Sequence, residues 1–248
     1  GLLAIALGEA TKTIAFQTDS PKEYKFKVIW GIQTDTDDST GAEIKKSNMI
    51  PKEVDVMKVL SLFKGKLEQV PPNYSAKKVN GERAYKLARR KIPLNLSPQK
   101  VQIFNLDLIR YDNTKFAEFF MKCSKGTYVR SVARDIGQAL GCFGHADDIR
   151  RLSSGTLTIK EATKFDRIKE LSPHELSKFI VPTRKLLEHI LEIKCSESQY
   201  LRLTNGNPIR LTDTLDYVDA WASYLDIPIA LGKTQDGFFI PRKVLRIV

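Results

Sequence analysis

Residues 116–141 read FAEFFMKCSKGTYVRSVARDIGQALG, and the hydrophobic period changes inside this stretch. From 116 to 123 apolar and polar side chains alternate, which predicts a half-buried strand. From Val129 to Leu140 the apolar residues recur at helical spacing, and Gly141 follows where a helix would end. The stretch therefore predicts a strand, a tight turn and a helix, and the rest of the chain is interpreted around this unit.

The turn between strand and helix places two polar side chains at a rigid corner. Gly126 permits a left-handed backbone, and Thr127 is a candidate N-cap because its side-chain oxygen can accept from a free backbone N–H. Tyr128 and Arg130 then lie in the first helical turn, away from the apolar stripe. A fixed ring and guanidinium suit a flat or anionic ligand, whereas an arginine paired with a surface carboxylate is the alternative.

Composition limits the class of protein. The 248 residues are 42% hydrophobic and 28% charged, as in an ordinary globular protein of one large or two unequal domains. Forty Lys and Arg against 29 Asp and Glu give a net charge of +11. This excess favours a polyanionic partner, with nucleic acid ahead of an anionic membrane surface. Because the sequence has no long apolar span or signal peptide, we expect no membrane association.

Several kinds of chemistry are disfavoured. Cys123, Cys142 and Cys195 lie far apart, which predicts neither a disulfide framework nor a zinc site, and is typical of a reducing cytoplasm. The sequence has no P-loop, G-x-G-x-x-G, H-E-x-x-H or G-x-S-x-G motif, and its three histidines are scattered. Metal, nucleotide and Ser–His chemistry are therefore unsupported.

The N-terminal third predicts strands and one polar loop. Residues 2–7 form an apolar run that predicts a buried strand, and because domains rarely begin inside a core, we expect the natural chain to start upstream. Tyr24 stands at the entry of an alternating strand that ends near residue 30, where an ordinary strand aromatic is the alternative to a cleft residue. Residues 31–41 predict a turn-rich loop, not a calcium loop, because the required glycine and glutamate are missing. Asp35 or Asp38 in this loop could pair with an active-site arginine, with solvated turn residues as the alternative.

Basic residues are concentrated after the first third of the chain. Residues 77–91 hold seven Lys and Arg against one acid, with Tyr74 and Tyr85 interleaved. This pattern indicates either an RNA-facing surface or a solvated basic helix. Residues 196–248 predict a short helix followed by short strands, which is typical of a small β-rich appendage.

Four segments together resemble the TruB family of bacterial tRNA pseudouridine synthases. They are GEATK at 8–12, Tyr24 with GxxTDTxDxxG at 31–41, PPxYSAxKxxG at 71–81 and CSKGTYVR at 123–130. Arg150-Arg151 also fits, and residues 205–208 with 236–237 resemble the family's small PUA-type RNA-binding domain. The resemblance runs over nearly the whole chain, with all segments in order.

The resemblance implies an α+β fold, with a mixed, largely antiparallel sheet flanked by helices and a small C-terminal β-rich PUA-like domain. We expect a catalytic domain over residues 1–195 and the PUA-like domain over 196–248. The implied activity is cofactor-free isomerisation of uridine 55 in the T loop of tRNA to pseudouridine. The uridine is flipped out, its glycosidic bond is broken, and the uracil is rejoined through carbon-5. An aspartate carboxylate attacks either the ribose or the base.

Roles for individual residues follow from the same resemblance. Tyr24 would stack on the base, and Arg130 would pair with the catalytic carboxylate, with Asp38 in its network. Tyr128 and Ile149 would line the pocket. Phosphates would meet Lys12, Lys77, Lys78, Arg150 and Arg151.

The family nucleophile itself has no counterpart in this sequence. It lies in a G-x-L-D-P-x-A-x-G motif just before GEATK, and Gly1 matches the last glycine of that motif. We therefore expect the aspartate upstream of Gly1, in a cytoplasmic, monomeric tRNA-binding enzyme that needs no metal. The alternatives are a catalytically inactive RNA-binding or RNA-folding module of the same fold and, more distantly, a translation-associated RNA binder that does not depend on Arg130.

Overall fold

The computed structural model describes residues 1–212 and 218–246, which form two compact units. The first comprises residues 1–2 and 21–153, and the second residues 3–20 and 154–248. The expected C-terminal domain, 196–248, includes residues 213–217 and 247–248, which lie outside the described residues. Its boundary at residue 195 stays a prediction.

The helices and strands match the sequence pattern along most of the chain. The described residues contain α-helices α1 (Ile14–Asp19), α2 (Glu53–Leu60), α3 (Ala84–Arg89), α4 (Val129–Ala139), α5 (Phe165–Glu170), α6 (Pro173–Ser177), α7 (Thr183–Leu187) and α8 (Glu197–Thr204), with 3-10 turns at Gly8–Thr13, Ser61–Phe63 and Ile159–Glu161. The strands are β1 (Lys22–Trp30), β2 (Ile32–Thr34), β3 (Glu43–Lys46), β4 (Gly65–Gln69), β5 (Lys78–Val79), β6 (Glu82–Arg83), β7 (Gln99–Tyr111), β8 (Phe116–Cys123), β9 (Gly144–Ser154), β10 (Leu157–Thr158), β11 (Leu191–Lys194), β12 (Ile209–Arg210), β13 (Asp219–Tyr224), β14 (Ile227–Gln235) and β15 (Phe238–Val244).

The first unit is built on a sheet with strand order β9-β1-β8-β7-β4. Pairing is antiparallel between β1 and β8, β8 and β7, and β7 and β4. Alternate side chains of β1 and β8 point into one core, in which Phe26 stacks on Phe119 with ring centroids 5.6 Å apart. The apolar stripe of α4, including Val132 and Ile136, covers this core. The strand, turn and helix predicted for residues 116–141 are therefore confirmed.

The predicted buried strand at residues 2–7 is wrong. Leu2 is buried and its N–H donates to the Arg151 carbonyl at 2.9 Å, but Leu3, Ile5 and Leu7 are 72%, 67% and 64% exposed. No described strand pairs with residues 3–7, so the side chains of Leu3, Ile5 and Leu7 have no neighbouring strand to pack against. The sequence pattern indicated a strand because it reports hydrophobicity and not the presence of a neighbour.

The second unit carries a separate five-stranded sheet with order β11-β13-β14-β15-β12. Its core gathers Leu203 of α8, Ile209, Ala222 and Phe239, all buried. Strand β11 pairs in parallel with β13, and the other pairs are antiparallel. The β-rich C-terminal region predicted from sequence is confirmed, although β11 begins at Leu191, ahead of the expected boundary. None of the helices in residues 1–212 and 218–246 is long and apolar enough to cross a bilayer.

Candidate functional site

The turn after β8 positions Tyr128 and Arg130 at the start of α4. Gly126 has a φ of +79°, as the turn requires, and α4 begins at Val129. Thr127 does not cap the helix as expected, because its hydroxyl donates to the Ser124 carbonyl at 3.0 Å. Tyr128 is itself the N-cap residue, with a φ of −96° and a ψ of 113°, so only Arg130 of the predicted pair lies in the first helical turn.

Arg130 reaches two other segments of the first unit. Its Nη1 donates to the Thr36 carbonyl and to Asp38 Oδ2, both at 3.1 Å, and its Nη2 donates to the Tyr74 carbonyl at 2.9 Å. The Arg130 and Asp38 side chains are 23% and 22% exposed, so the ion pair is partly shielded and still reachable. Three segments distant in sequence therefore meet at one guanidinium.

The Asp38 carboxylate is held in its charged form. Its Oδ1 accepts from the Thr36 hydroxyl at 2.7 Å and from the Thr40 hydroxyl at 2.6 Å and N–H at 3.0 Å. Burial raises the pKa of Asp38, but the bonds from Thr40 and Thr36 and the Arg130 charge together outweigh it, and the pKa falls below its ordinary value. The site thus keeps a permanent anion behind Arg130.

A second ion pair lies one helical turn along α4. Arg134 Nη1 donates to Asp37 Oδ2 at 2.8 Å, and the two side chains are only 12% and 7% exposed. Burial raises the pKa of Asp37, and the neighbouring Arg134 charge limits the rise. Arg134 also bonds Asp135 through Nε at 2.8 Å and the Val70 carbonyl through Nη2 at 2.9 Å.

Tyr24 belongs to a different pair on the sheet. It lies on β1 opposite Met121 of β8, half-buried against the core, and the Arg151 guanidinium carbon lies 5.8 Å from its ring centroid. That distance fits a cation–π contact. Burial raises the pKa of the Tyr24 phenol, with the Arg151 charge opposing the rise. Arg151 Nε is buried without a hydrogen-bond partner among the described residues.

The remaining predicted residues differ in surroundings. Ile149 is 41% exposed on β9, directly after Asp148, which has a φ of +47°. Arg150 and Lys78 are exposed. Lys77 donates to the Ser97 carbonyl at 2.7 Å. Lys12 lies in the second unit, where its ammonium donates to Glu9 Oε2 and the Val244 carbonyl, each at 2.7 Å.

Sequence reasoning missed the residues that support Arg130. They are Gln69, Asp37, Ser131 and Arg134, which connect α4 to its two neighbouring segments. One signal was present: Arg130 and Arg134 are spaced four apart, off the apolar stripe, which places both on one face of the helix. In the described part of the chain, no cluster of three or more His, Cys, Asp or Glu side chains could hold a metal ion.

Comparison with known families covers most of the chain. The family described as "TruB family pseudouridylate synthase (N terminal domain)" matches residues 1–129, and "tRNA pseudouridylate synthase B C-terminal domain" matches residues 130–188. Among similar curated proteins, tRNA pseudouridine synthase B of Roseobacter denitrificans is 40% identical over 248 residues, covering 99% of this chain and 82% of that protein. The same-named protein of Cereibacter sphaeroides is 38% identical over 250 residues, covering 100% of this chain and 83% of that protein.

Solved structures share the fold at low sequence identity. A Cbf5-Nop10-Gar1 complex matches with a TM-score of 0.69 and 19% identity, over 96% of this chain and 70% of the matched chain. An H/ACA RNP bound to a substrate RNA containing 2'-deoxyuridine also has a TM-score of 0.69, with 17% identity over 98% and 71% of the two chains. At this identity the similarity supports the α+β architecture alone.

Proposed function

This chain belongs to the TruB family of pseudouridylate synthases, and on that premise we propose that it isomerises uridine 55 in the T stem-loop of tRNA. Enzymes of this family are isomerases, and formation of pseudouridine in tRNA is the activity of the curated homologues that match nearly the full chain. The position of the uridine, the residues that act on it and the monomeric, cytoplasmic state of the enzyme are parts of the proposal.

The observation that carries the proposal is the unused bonding capacity of Arg130. A guanidinium has five N–H groups, and three acceptors are recorded for Arg130 among the described residues. Two N–H groups are left, which is the number that a bidentate carboxylate accepts. Asp38 and two carbonyls hold the guanidinium in place, so that a catalytic carboxylate would meet a fixed cation.

The nucleophile in this proposal is an aspartate that precedes Gly1. Gly1 packs against the backbone of Arg151: a Cβ on Gly1 would lie 2.7 Å from the Arg151 nitrogen. A segment attached before Gly1 would thus start beside Arg151, whose guanidinium lies over Tyr24. The carboxylate would attack the ribose or the base, and Arg130 would keep it ionised and oriented.

The substrate uridine has to leave its stack before it can react. Its glycosidic bond and carbon-5 are inaccessible in the stacked loop, so base flipping precedes chemistry. We assign the stacking surface to Tyr24, because its ring is already held between the core and Arg151. Tyr128 and Ile149 are assigned to the pocket, since Tyr128 precedes α4 and Ile149 lies in the exposed middle of β9.

Cations of both units are assigned to the phosphates, which orient RNA without reading its sequence. Arg150 and Lys78 are exposed, and Arg151 has a buried Nε without a recorded partner. Lys77 and Lys12 are part of the same assignment, although each donates to a protein acceptor in the free chain. These bonds would have to be exchanged for bonds to phosphate on binding.

Tritium release from tRNA carrying [5-³H]uridine tests the function. The 248-residue chain is assayed beside the same chain preceded by the family's L-D-P segment, on a tRNA transcript and on a matched transcript with cytidine at position 55. The proposal expects release only by the extended chain, and only from the transcript with uridine 55. Release by neither chain, with tight tRNA binding by both, would instead support an RNA-binding module. Release from the cytidine transcript would contradict the assigned position.

Arg130→Ala and Arg150→Ala separate chemistry from binding in the extended chain. Arg130→Ala should nearly abolish turnover and leave the tRNA Kd within a few-fold, because Arg130 acts on the carboxylate. Arg150→Ala should weaken tRNA binding and retain turnover at saturating tRNA, because a phosphate contact adds affinity alone. Equal turnover by Arg130→Ala and the unmodified enzyme would remove Arg130 from the site.

A further inference from the structure

We infer that Arg134 and Asp37 are positioning residues for the isomerisation, because their buried ion pair fixes the loop that carries Asp38 and Arg134 also holds the segment that leads to Tyr74. The inference rests on the proposed role of Arg130. Neither residue is assigned to a substrate atom, and each acts through its neighbour in the chain. Four arguments from the first unit support it.

The first argument concerns the loop that carries Asp38. Asp37 and Asp38 are consecutive, and in an extended strand their side chains would point to opposite faces. Asp37 instead has a φ of +59°, in the left-handed region that favours glycine. This conformation allows both carboxylates to reach α4, Asp38 at Arg130 and Asp37 at Arg134. The ion pair with Arg134 offsets the backbone strain at Asp37.

The second argument concerns the helix. Arg130 and Arg134 are four residues apart, so they lie one turn apart on the same face of α4. Two arginines in this register meet two adjacent carboxylates at 3.1 Å and 2.8 Å. Movement of Asp37 away from Arg134 would carry Asp38 away from Arg130, because a single peptide unit joins the two aspartates.

The third argument concerns the segment that supplies the Tyr74 carbonyl to Arg130. Arg134 Nη2 and the Ser131 hydroxyl both donate to the Val70 carbonyl, at 2.9 Å and 2.8 Å. Val70 precedes two buried prolines, whose restricted φ stiffens the chain leading to Tyr74. Arg134 therefore anchors both the loop that holds Asp38 and the segment that holds the Tyr74 carbonyl.

The fourth argument is burial. The Arg134 and Asp37 side chains are 12% and 7% exposed, whereas those of Arg130 and Asp38 are 23% and 22% exposed. The inner pair is more shielded from solvent, and the outer pair is more accessible to a ligand. The shielded Arg134–Asp37 pair thus supports the more accessible Arg130–Asp38 pair, which is the arrangement that a preorganised site requires.

A double-mutant cycle in the extended, active enzyme tests the inference. Arg134→Lys keeps the charge but loses the planar guanidinium, whose N–H groups donate to Asp37, Asp135 and the Val70 carbonyl at the same time. It should lower kcat by about 10- to 100-fold through misplacement of Arg130, while the tRNA Kd stays within about twofold. In a chain that already carries Arg130→Lys, the same change should cost less than about twofold, because its target is already lost.

Asp135→Asn is the matched control, since Asp135 touches Arg134 through Nε and has no recorded bond to the Asp38 loop or Val70 among the described residues. It should leave kcat within about twofold. If Arg134→Lys does not fold, Asp37→Asn replaces it in the cycle, because it keeps the size of the side chain.

The outcomes separate this inference from the proposed function. Additive losses from Arg130→Lys and Arg134→Lys would show a general structural effect and overturn the positioning role. Wild-type kcat in Arg134→Lys, beside an impaired Arg130→Lys, would overturn the positioning role alone. Wild-type kcat in Arg130→Lys would overturn both the positioning role and the role proposed for Arg130, and would leave the isomerase function standing, because the enzyme would turn over without an arginine to position.

Discussion

The Gln69 side-chain amide pairs with both backbone groups of Tyr128. Gln69 Oε1 accepts from the Tyr128 N–H at 2.8 Å, and Gln69 Nε2 donates to the Tyr128 carbonyl at 3.2 Å. Gln69 is 1% exposed at the end of β4, so this pairing replaces water at the N-terminus of α4. The glutamine thereby fixes the residue from which the helix and its arginines begin.

Replacement of Gln69 by leucine should weaken both the fold and the site. It removes two hydrogen bonds and leaves the Tyr128 N–H without its partner, whereas the Tyr128 carbonyl still accepts from the Val132 N–H at 3.1 Å. An unsatisfied buried donor costs about 1–3 kcal/mol of unfolding free energy. Turnover should fall as well, because the first turn of α4 carries Arg130. Urea unfolding and tritium release measure the two effects.

Gln99→Ala serves as its control. Gln99 also bonds the backbone of this corner, donating to the Gly126 carbonyl at 2.6 Å, but it does so at the surface. Water can replace that bond, so we expect a change within about 0.5 kcal/mol. An equal loss in both variants would refute the special role of the Gln69 pairing.

Gly41 has no room for a side chain. A Cβ at this position would collide with the Thr36 hydroxyl and the Asp35 carboxylate, and would come within 2.9 Å of the Thr36 nitrogen. Thr36 supplies a hydroxyl to Asp38 and a carbonyl to Arg130. Gly41→Ala should therefore displace the loop and lower kcat by about tenfold.

The control for Gly41→Ala is Ser39→Ala in the same loop. The Ser39 hydroxyl bonds only Asp147, at 2.9 Å and on the surface, among the described contacts of its side chain. Its removal should leave kcat and the melting temperature unchanged. A wild-type kcat in Gly41→Ala would show that the loop relaxes without moving Asp38.

The local elements of this fold could be predicted from sequence, because they depend on local periodicity. The strand Phe116–Cys123, the turn at Gly126 and the end of α4 before Gly141 follow from the pattern alone. The S-x-x-E pattern of Ser172 and Glu175 likewise forms a capping box at the start of α6. These features depend on side chains within a few residues of one another.

The supports of the site could not be predicted in this way, because they depend on residues distant in sequence. Gln69 meets Tyr128 across 59 residues, and Asp37 meets Arg134 across 97. Thr127 shows a prediction that local sequence made wrongly. Its hydroxyl was expected to cap α4 but bonds the Ser124 carbonyl, and the distant Gln69 accepts from the Tyr128 N–H at the helix start. Polar partners of this kind leave no periodic signal, so only the spacing of Arg130 and Arg134 pointed to them.

The three thiols should be unreactive in the folded protein. Burial raises the pKa of Cys123, of Cys142 and of Cys195 to about 11 each. Since the thiolate is the reactive form, labelling by DTNB at pH 8 should be slow in the native state and fast for all three after unfolding. Cys195, the least buried, should react before the others.

The same shifts predict a loss of stability at high pH. A thiol whose pKa is raised in the native state contributes stability that is complete below its unfolded pKa, about 8.5, and is lost as the pH rises toward 11.

In the labelling experiment, Cys195→Ser should remove the fastest phase and leave the other two thiols slow to react. Rapid labelling of two or more thiols at pH 8 would contradict the burial of Cys123 and Cys142.

Asp38→Asn should lower stability at neutral pH more than at acid pH. The pKa of Asp38 is lowered in the native state, so its carboxylate contributes stability that is present above its ordinary pKa and is lost as the pH falls through the native value. Asparagine can still accept from Thr36 and Thr40, but it offers Arg130 no charge. We expect a loss of about 1.5–3 kcal/mol at pH 7, the range for hydrogen bonds to charged groups.

Urea unfolding of both proteins between pH 7 and pH 3 measures this difference. The wild-type advantage should hold from pH 7 to about pH 5 and shrink below about pH 4, as the wild-type carboxylate takes up a proton. Asp148→Asn is a suitable control, because the Asp148 side chain is 63% exposed and its pairing with Lys27 at 3.2 Å is open to solvent. A constant advantage of wild type over Asp38→Asn across the whole range would mean that the Asp38 charge does not stabilise the loop, because protonation of the wild-type carboxylate would then change nothing.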